Sequence, residues 1–242
     1  NVLAKLKPHL TPQTRVLEVG CGSGLTMFAL APLVAHYHGT DLSPAIIERS
    51  RAEAARAGLD NVTLQALPGE RVGEVEGEFD ILVLNSVIQL FPGHNVLRDV
   101  LRTGASKLRQ GGVVFAGDIM DLRRRDALLQ SLADFSREHA GSGYRTKLEW
   151  DDELFLDPDF FHDLRDHLPG VCDVQVSDKI HTIGNELTGF RYDAVIRIDR
   201  TSAPTPHLPA KRYSGRPEIA AASAIAPTVG GHPDRCAYVM YT

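Results

Sequence analysis

The chain has 242 residues and a formal net charge of −5, from 26 basic and 31 acidic residues that are mixed along its length. This length suffices for one α/β domain with appendages and a substantial core. The charge provides no broad positive surface, so we predict that neither nucleic acid nor a membrane is a partner. No window approaches the roughly 18 consecutive apolar residues of a membrane span, and the first residues lack the apolar core of a secretion signal.

The three cysteines, Cys21, Cys172 and Cys236, are far apart in the sequence. They form neither a disulfide framework nor a paired metal-ligand spacing, so we predict no metal site and a cytoplasmic location. The chain opens at Asn1, already inside an amphipathic pattern, and we therefore expect it to be a piece of a longer polypeptide.

Short apolar runs alternate with helical patterns in the first half of the chain. Residues 14–19 form such a run, which ends in a glycine cluster and precedes a helical spacing from Leu25. A second unit has a strand at 35–40 and a helix that begins at 43–44 and ends at Gly58. The other elements predicted here are strands at 62–65, 80–85 and 113–117 and a helix near 95–108.

This alternation predicts an α/β fold with a mostly parallel sheet. Residues 122–168 are rich in charge and in spaced aromatic residues, and we predict a mainly helical lid there. Alternating apolar residues at 171–176 and 190–198 predict a closing antiparallel hairpin. From about residue 200 the composition shifts to Pro, Ala, Gly and Ser, which is typical of a linker.

The segment VLEVGCGSG stands between the first strand and the first helix of this plan. Glycines there let the backbone approach a ligand at the carboxyl end of the sheet. Leu25 stands where a dinucleotide fingerprint needs its third glycine, and the Glu18 carboxylate would repel a pyrophosphate but attract an ammonium or sulfonium cation. The predicted cofactor-binding residues of this loop are Glu18, Gly20, Cys21, Gly22 and Gly24, with Cys21 as a packing residue rather than a nucleophile.

Asp41 follows the second strand, about 20 residues beyond the glycine loop, where a carboxylate can accept both ribose hydroxyls of a nucleoside. The alternative interpretation is that Asp41 only caps the helix that begins at 43–44. The glycine loop beside it favours the nucleoside.

The segments VLEVGCGSG, GTDLSP, FDILVLNSVIQLFP and LRQGGVVFAGDI resemble, in this order, the motifs of class I S-adenosylmethionine-dependent methyltransferases. The segments VLNSVIQLFP, LFLDPDFF and NELTGFRYDAVI resemble the methyltransferase domains of nonribosomal peptide synthetases. The resemblance covers about residues 10 to 198. It implies a Rossmann-like fold, S-adenosylmethionine as cofactor, and an aminoacyl substrate on a phosphopantetheine-bearing carrier domain.

By this resemblance Asp41 and Leu42 line the cofactor, and Asn85, Ser86 and Gln89 line the cofactor and substrate side of the fourth strand. Near the substrate mouth the implied residues are Asn185, Glu186 and Arg191.

Other roles near the substrate mouth stay open. Arg191 and Glu186 are equally compatible with a pair that serves only structure. A hydroxyl acceptor would need a general base, for which His181 and Glu186 are candidates, whereas a thiol or amine has less need of one. Asp118, after the fifth strand, either faces the site or caps the following helix.

The final segment, PDRCAYVMYT, resembles the strand that precedes the phosphate loop of adenylation domains. The expected organisation is therefore a methyltransferase domain at 1–199, a linker at 200–235 and a resumed adenylation strand at 236–242. Insertion at this point implies methylation of a side-chain oxygen or sulfur, with backbone nitrogen as the alternative. The implied partners are the flanking adenylation domain and an MbtH-like helper protein.

Two other classes of function are compatible with parts of the sequence. A nicotinamide-dependent reductase would share the loop and Asp41, but Glu18 and Leu25 argue against it. A non-catalytic spacer module could keep the fold without the reaction.

Overall fold

The computed structural model describes residues 1–140, 153–181, 184 and 186–201, with backbone alone at 186 and 187. The predicted linker beyond residue 201, the resumed strand, Asn185 and the middle of the predicted lid lie outside the described residues.

An eight-stranded sheet organises the described residues, in the order β3-β2-β1-β4-β5-β8-β7, with β6 paired to the end of β5. The strands are β1 (Arg15–Val19), β2 (His36–Asp41), β3 (Val62–Ala66), β4 (Phe79–Asn85), β5 (Leu108–Asp121), β6 (Phe155–Leu156), β7 (Val171–Asp178) and β8 (Arg191–Asp199). Strands β1 to β6 pair in parallel, whereas β8 is antiparallel to both β5 and β7. The predicted mostly parallel sheet with an antiparallel closing strand is confirmed.

Helices lie between these strands. They are α1 (Val2–Leu6), α2 (Leu25–Leu30), α3 (Pro44–Arg56), α4 (His94–Ser106), α5 (Arg125–Glu138), α6 (Asp159–Asp163) and α7 (Glu186–Gly189). Helix α3 begins where the sequence predicts, because the Ser43 side chain accepts the Ile46 N–H at 3.4 Å and Pro44 fits the first turn. Gly58, with φ of +68°, follows its end.

The sheet is buried on both faces, as parallel sheets are. Successive residues of β4 alternate between two apolar clusters, because side chains of a strand alternate in direction. Leu82 and Leu84 belong to the cluster with α4, whereas Ile81 and Val83 belong to the cluster with α1, α2 and α3. This packing fixes the carboxyl edge of the central strands, where the glycine loop lies.

Two predicted segments differ from the observed elements by more than two residues at an end or in the type of element. Strand β5 begins at Leu108 and ends at Asp121, well beyond the predicted 113–117, because pairing with β8 holds it on both sides of a register shift between Ala116 and Ile119. The described parts of the predicted lid contain α5 and α6, but also β6, which joins the sheet.

Candidate active site

The glycine loop after β1 is a tight bend that only glycine tolerates well. Gly20, Gly22 and Gly24 have φ of +77°, +50° and +82°, a region that side-chain-bearing residues rarely adopt. A Cβ on Gly20 would lie 2.5 Å from a methyl carbon of Val87. The loop is therefore seated directly against the turn that follows β4, and its backbone stays open at the carboxyl edge of the sheet.

Asp41, at the end of β2, joins this loop to the start of α3. One carboxylate oxygen accepts the Gly22 N–H at 3.0 Å, and the other accepts the Ser43 N–H at 2.9 Å. The two interpretations of Asp41 are thus compatible, since it holds the helix start and also stands beside the glycine bend. Ser50, which sequence reasoning missed, supports the bend from α3 by donating to the Gly22 carbonyl at 3.1 Å.

Glu18 lies beneath the bend, with 1% of its surface exposed. Burial raises the pKa of its carboxyl to about 7, although hydrogen bonds from Tyr37 and Thr26 oppose the shift. Direct contact between this carboxylate and a ligand would need a movement of the side chain. The carboxylate instead accepts a hydrogen bond from Tyr37, a fully buried partner that the sequence did not reveal.

Cys21 is 6% exposed and packs in the apolar cluster beside α2 and α3. Burial raises the pKa of its thiol, and the nearby carboxylates of Glu18 and Asp41 raise it further. Its sulfur lies 3.0 Å from where a Cβ on Gly39 would stand. This environment keeps the thiol protonated and agrees with a packing role.

Asn85 ends β4, and Ser86 follows it next to this loop. Ser86 has φ of +58°, and its N–H donates to the Gly117 carbonyl at 3.1 Å. A Cβ on Gly117 would stand 2.4 Å from the Asn85 amide oxygen, so glycine is needed for this approach. Gln89 donates to the Ser86 carbonyl at 3.0 Å, while its own amide oxygen is buried without a hydrogen-bond partner among the described residues.

Residues 17–114 match the family described as methyltransferase domain. This chain carries a methyltransferase domain. The match spans the glycine bend, Asp41 and the end of β4, and the predictions of a class I methyltransferase fold and of S-adenosylmethionine as cofactor are confirmed.

Curated relatives of the methyltransferase domain are nonribosomal peptide synthetases. It is 41% identical over 188 residues to a probable non-canonical nonribosomal peptide synthetase, CymA, of Salinispora arenicola, covering 75% of this chain and 2% of that protein. It is 37% identical over 202 residues to chondramide synthase cmdD of Chondromyces crocatus, covering 78% of this chain and 5% of that protein. The chain thus spans a small fraction of the length of these relatives.

A solved methyltransferase shares the fold at low sequence identity. Magnesium protoporphyrin IX methyltransferase from Synechocystis PCC 6803 is 14% identical, with a TM-score of 0.54, over 82% of this chain and 80% of that one. At this identity the likeness concerns the fold alone.

The methyltransferase domain places Asp118 in a buried ionic cluster. Arg191 donates to one oxygen of its carboxylate at 2.7 Å, and Lys179 contacts the other. Burial alone would raise the pKa of Asp118, but the charges of Arg191 and Lys179 lower it overall. The Ser86 hydroxyl donates to the same carboxylate at 3.0 Å.

The alternative that Asp118 caps the following helix is wrong. Asp118 lies inside β5, and its neighbour Asp121 supplies the cap by accepting the Arg123 N–H at 2.8 Å. Asp118 does not reach the helix start because β5 continues to Asp121. Asp118 lies at the register shift of this strand, next to β8.

The remaining predicted catalytic residues differ in burial and in how much of them the structure describes. Arg191 is buried and pairs with Asp118. The interpretation in which Arg191 pairs only with Glu186 is therefore incomplete. His181 is exposed in the connection between β7 and β8. Glu186 begins α7, but its side chain lies outside the described residues, as does Asn185.

The sequence prediction missed three further residues of the cluster, namely Lys179, Asp193 and Lys5. Asp193 accepts the Asp118 N–H at 2.8 Å and pairs with Lys5 of α1 at 2.7 Å. A signal was present in the sequence, since Arg191 and Asp193 interrupt the apolar pattern of the segment FRYDAVI on alternate residues.

Within the described ranges, no group of histidine, cysteine or acidic residues could hold a metal ion. In the same part of the chain, no helix is long and apolar enough to cross a membrane.

Proposed function

We propose that this chain is the methyltransferase domain of a nonribosomal peptide synthetase and methylates an aminoacyl group held on a carrier domain. The observation that carries the proposal is the glycine bend tied to Asp41 beside a polar end of β4. The 41% identity to CymA supports the synthetase context.

The chain fits the cofactor through groups that its own fold supplies. The glycine bend leaves the backbone free of side chains where a nucleoside and its amino-acid tail would lie. Asp41 retains unused lone pairs for ribose hydroxyls. Leu42 and Leu25 flank this region with 70% and 73% of their surfaces exposed, and they offer apolar contact to a purine ring. We therefore assign Gly20, Gly22, Gly24, Asp41 and Leu42 to the cofactor, with Cys21 packing behind them. Glu18 lies beneath the bend, where a sulfonium cation would favour the ionised form of its carboxyl group.

S-adenosylmethionine supplies an electrophilic methyl group. The task of the protein is to hold a nucleophile in line with that methyl in a site from which water is excluded, so positioning provides most of the acceleration. We assign this side of the site to Asn85, Ser86 and Gln89, with Arg191 and Asp118 behind Ser86. His181, Asn185 and Glu186 are the proposed contacts from the connection between β7 and β8.

The proposed acceptor is a side-chain oxygen or sulfur, because the segment 236–242 resembles an adenylation strand that resumes after the insertion. Backbone nitrogen is the competing acceptor. A helper protein of the MbtH type and the flanking adenylation domain are the proposed partners.

Mass spectrometry of a loaded carrier domain tests the proposal. After incubation with the complete module and S-adenosylmethionine, the aminoacyl group should gain one methyl group, which fragmentation assigns to the side chain. A methyl on the backbone nitrogen would overturn the side-chain assignment alone. Cofactor binding without transfer to any aminoacyl carrier would overturn the enzyme proposal in favour of a spacer module.

A further inference from the structure

Ser86 and Asp118 are held together at the point where the cofactor loop meets the central strands. Ser86 donates its hydroxyl to Asp118 at 3.0 Å and its N–H to Gly117 at 3.1 Å. The next residue, Val87, packs so closely on the glycine loop that Gly20 has no room for a Cβ. The Ser86 hydroxyl therefore stands between the loop and the buried cluster around Asp118.

Both residues have a backbone conformation that costs energy. Ser86 and Asp118, with φ of +58° and +63°, are the non-glycine residues with positive φ in the part of the chain that the structure describes. Such conformations persist where the surroundings impose them, and they concentrate at functional sites. Here Asp193 imposes one of them, because its carboxylate accepts the Asp118 N–H at 2.8 Å.

The charges around Asp118 determine the direction of the Ser86 hydroxyl. The groups that face its carboxylate are Arg191 from β8, Lys179 after β7 and the Ser86 hydroxyl, while Asp193 faces its N–H. The two cations keep Asp118 ionised, so its carboxylate can only accept hydrogen bonds. Ser86 must then be the donor to Asp118. One lone pair of its oxygen accepts the Asn85 side-chain N–H at 3.4 Å, which leaves the second lone pair for a ligand on the half-buried side of Ser86.

From this geometry we infer that Asp118 is a positioning residue that fixes the Ser86 hydroxyl as an acceptor for the N–H, O–H or S–H of the methyl acceptor. This inference rests on the proposed function. The hydrogen bond would direct a lone pair of the acceptor atom toward the sulfonium methyl. In the transfer, that lone pair forms the new bond to carbon and the pair of the carbon–sulfur bond stays on sulfur. The acceptor proton is released to bulk solvent when the methylated product leaves the site.

Paired substitutions at Ser86 separate the hydroxyl from the backbone strain. Ser86→Ala removes the hydroxyl and keeps the strain, whereas Ser86→Gly removes the hydroxyl and relieves the strain. In the complete module, both should lower the single-turnover rate by about ten-fold to a hundred-fold, with the dissociation constant for S-adenosylhomocysteine unchanged within error. Ser106→Ala, an exposed serine at the end of α4, is the matched control and should keep the rate of the parent.

A double substitution tests whether Asp118 acts through Ser86. Asp118→Asn should lower the single-turnover rate as much as Ser86→Ala does. The rate of the variant with both substitutions should be no lower than that of either single variant. If Asp118→Asn does not fold, Lys179→Met replaces it. Removal of this cation should raise the pH at which the rate falls on the acid side, and the shift should vanish in the Ser86→Ala background.

The outcomes are distinguishable from failure of the proposed function. Parental rates in both Ser86 variants, multiplicative losses in the double variant, or a Lys179→Met shift that persists without the hydroxyl would overturn the positioning role alone. Absence of transfer by the parent module, despite cofactor binding, would overturn the proposed function and this inference together.

Discussion

The ammonium of Lys5 lies 2.7 Å from the carboxylate of Asp193, and the two side chains are 8% and 0% exposed. The other oxygen of Asp193 accepts the Asp118 N–H at 2.8 Å. A single buried carboxylate thus links α1, at the start of the chain, to the strained point of β5.

Replacing Lys5 with methionine should destabilise the fold by about 3 kcal/mol, because it leaves the buried Asp193 carboxylate without its cation. Asn1 still donates to this carboxylate at 2.8 Å, so the loss should not exceed that of a wholly unpaired charge. Urea denaturation measures the change in the free energy of unfolding. Lys7→Met, at an exposed position of the same segment, is the control. Equal stability of the Lys5 and Lys7 variants would contradict the role of the pair.

Gly20→Ala should reduce both stability and cofactor affinity. The substitution adds the cost of positive φ for a residue with a side chain, about 1 to 2 kcal/mol, and a contact of 2.5 Å with Val87. Gly58→Ala is a matched control, since Gly58 has φ of +68° and nothing within 4 Å of its Cβ position. It should show the backbone cost alone and bind S-adenosylhomocysteine normally by calorimetry. A Gly20→Ala variant with the same stability and affinity as Gly58→Ala would show that Val87 moves away from the added Cβ.

Asp41→Ala should weaken binding of S-adenosylhomocysteine by about ten-fold or more, through loss of ribose acceptors and of the bond to Gly22. Isothermal titration calorimetry is the direct measurement, and Asp60→Ala at an exposed position is the control. If the Asp41 variant binds S-adenosylhomocysteine with unaltered affinity, this carboxylate does not bind the ribose of the cofactor.

The buried Glu18 should make stability decline as the pH rises. Its pKa in the fold is about 7, above its ordinary value of 4.5, so the folded state binds more protons than the unfolded state between these values. The free energy of unfolding should therefore fall by about 3 kcal/mol from pH 4.5 to pH 7 through this group. Glu18→Gln should lack that component.

Urea denaturation of the parent and of Glu18→Gln at several pH values between 5 and 8 checks this sign. The free energies of unfolding of the two proteins should differ increasingly as the pH rises, with Glu18→Gln the more stable protein at the alkaline end. Divergence in the opposite direction would mean that the hydrogen bonds from Tyr37 and Thr26 outweigh the cost of burial.

The sequence was informative where local chemistry determines structure. The glycine bend, the start of α3 at Ser43 and the alternation of strands and helices depend on nearby residues, and each was predicted correctly. The resemblance also named Ser86 and Arg191, which the structure brings to the same carboxylate, that of Asp118.

The partners of these residues could not be predicted, because they come from distant parts of the chain. Tyr37 reaches Glu18 only through the pairing of β1 with β2, and Lys179 reaches Asp118 only through β7 and β8. The length of β5 was underestimated for the same reason. Its residues before 113 include two glycines and its residues beyond 117 include two aspartates, and the antiparallel pairing with β8 extends the strand despite them.

The origin of these distant partners has a consequence for synthesis on the ribosome. Asp118 draws its cations and its backbone acceptor from residues 179, 191 and 193. A nascent chain that has emerged only as far as α5 contains the glycine bend and Asp41, yet it cannot neutralise Asp118 or hold its left-handed conformation. The ordering of Ser86 is therefore expected to await the emergence of β8 during translation.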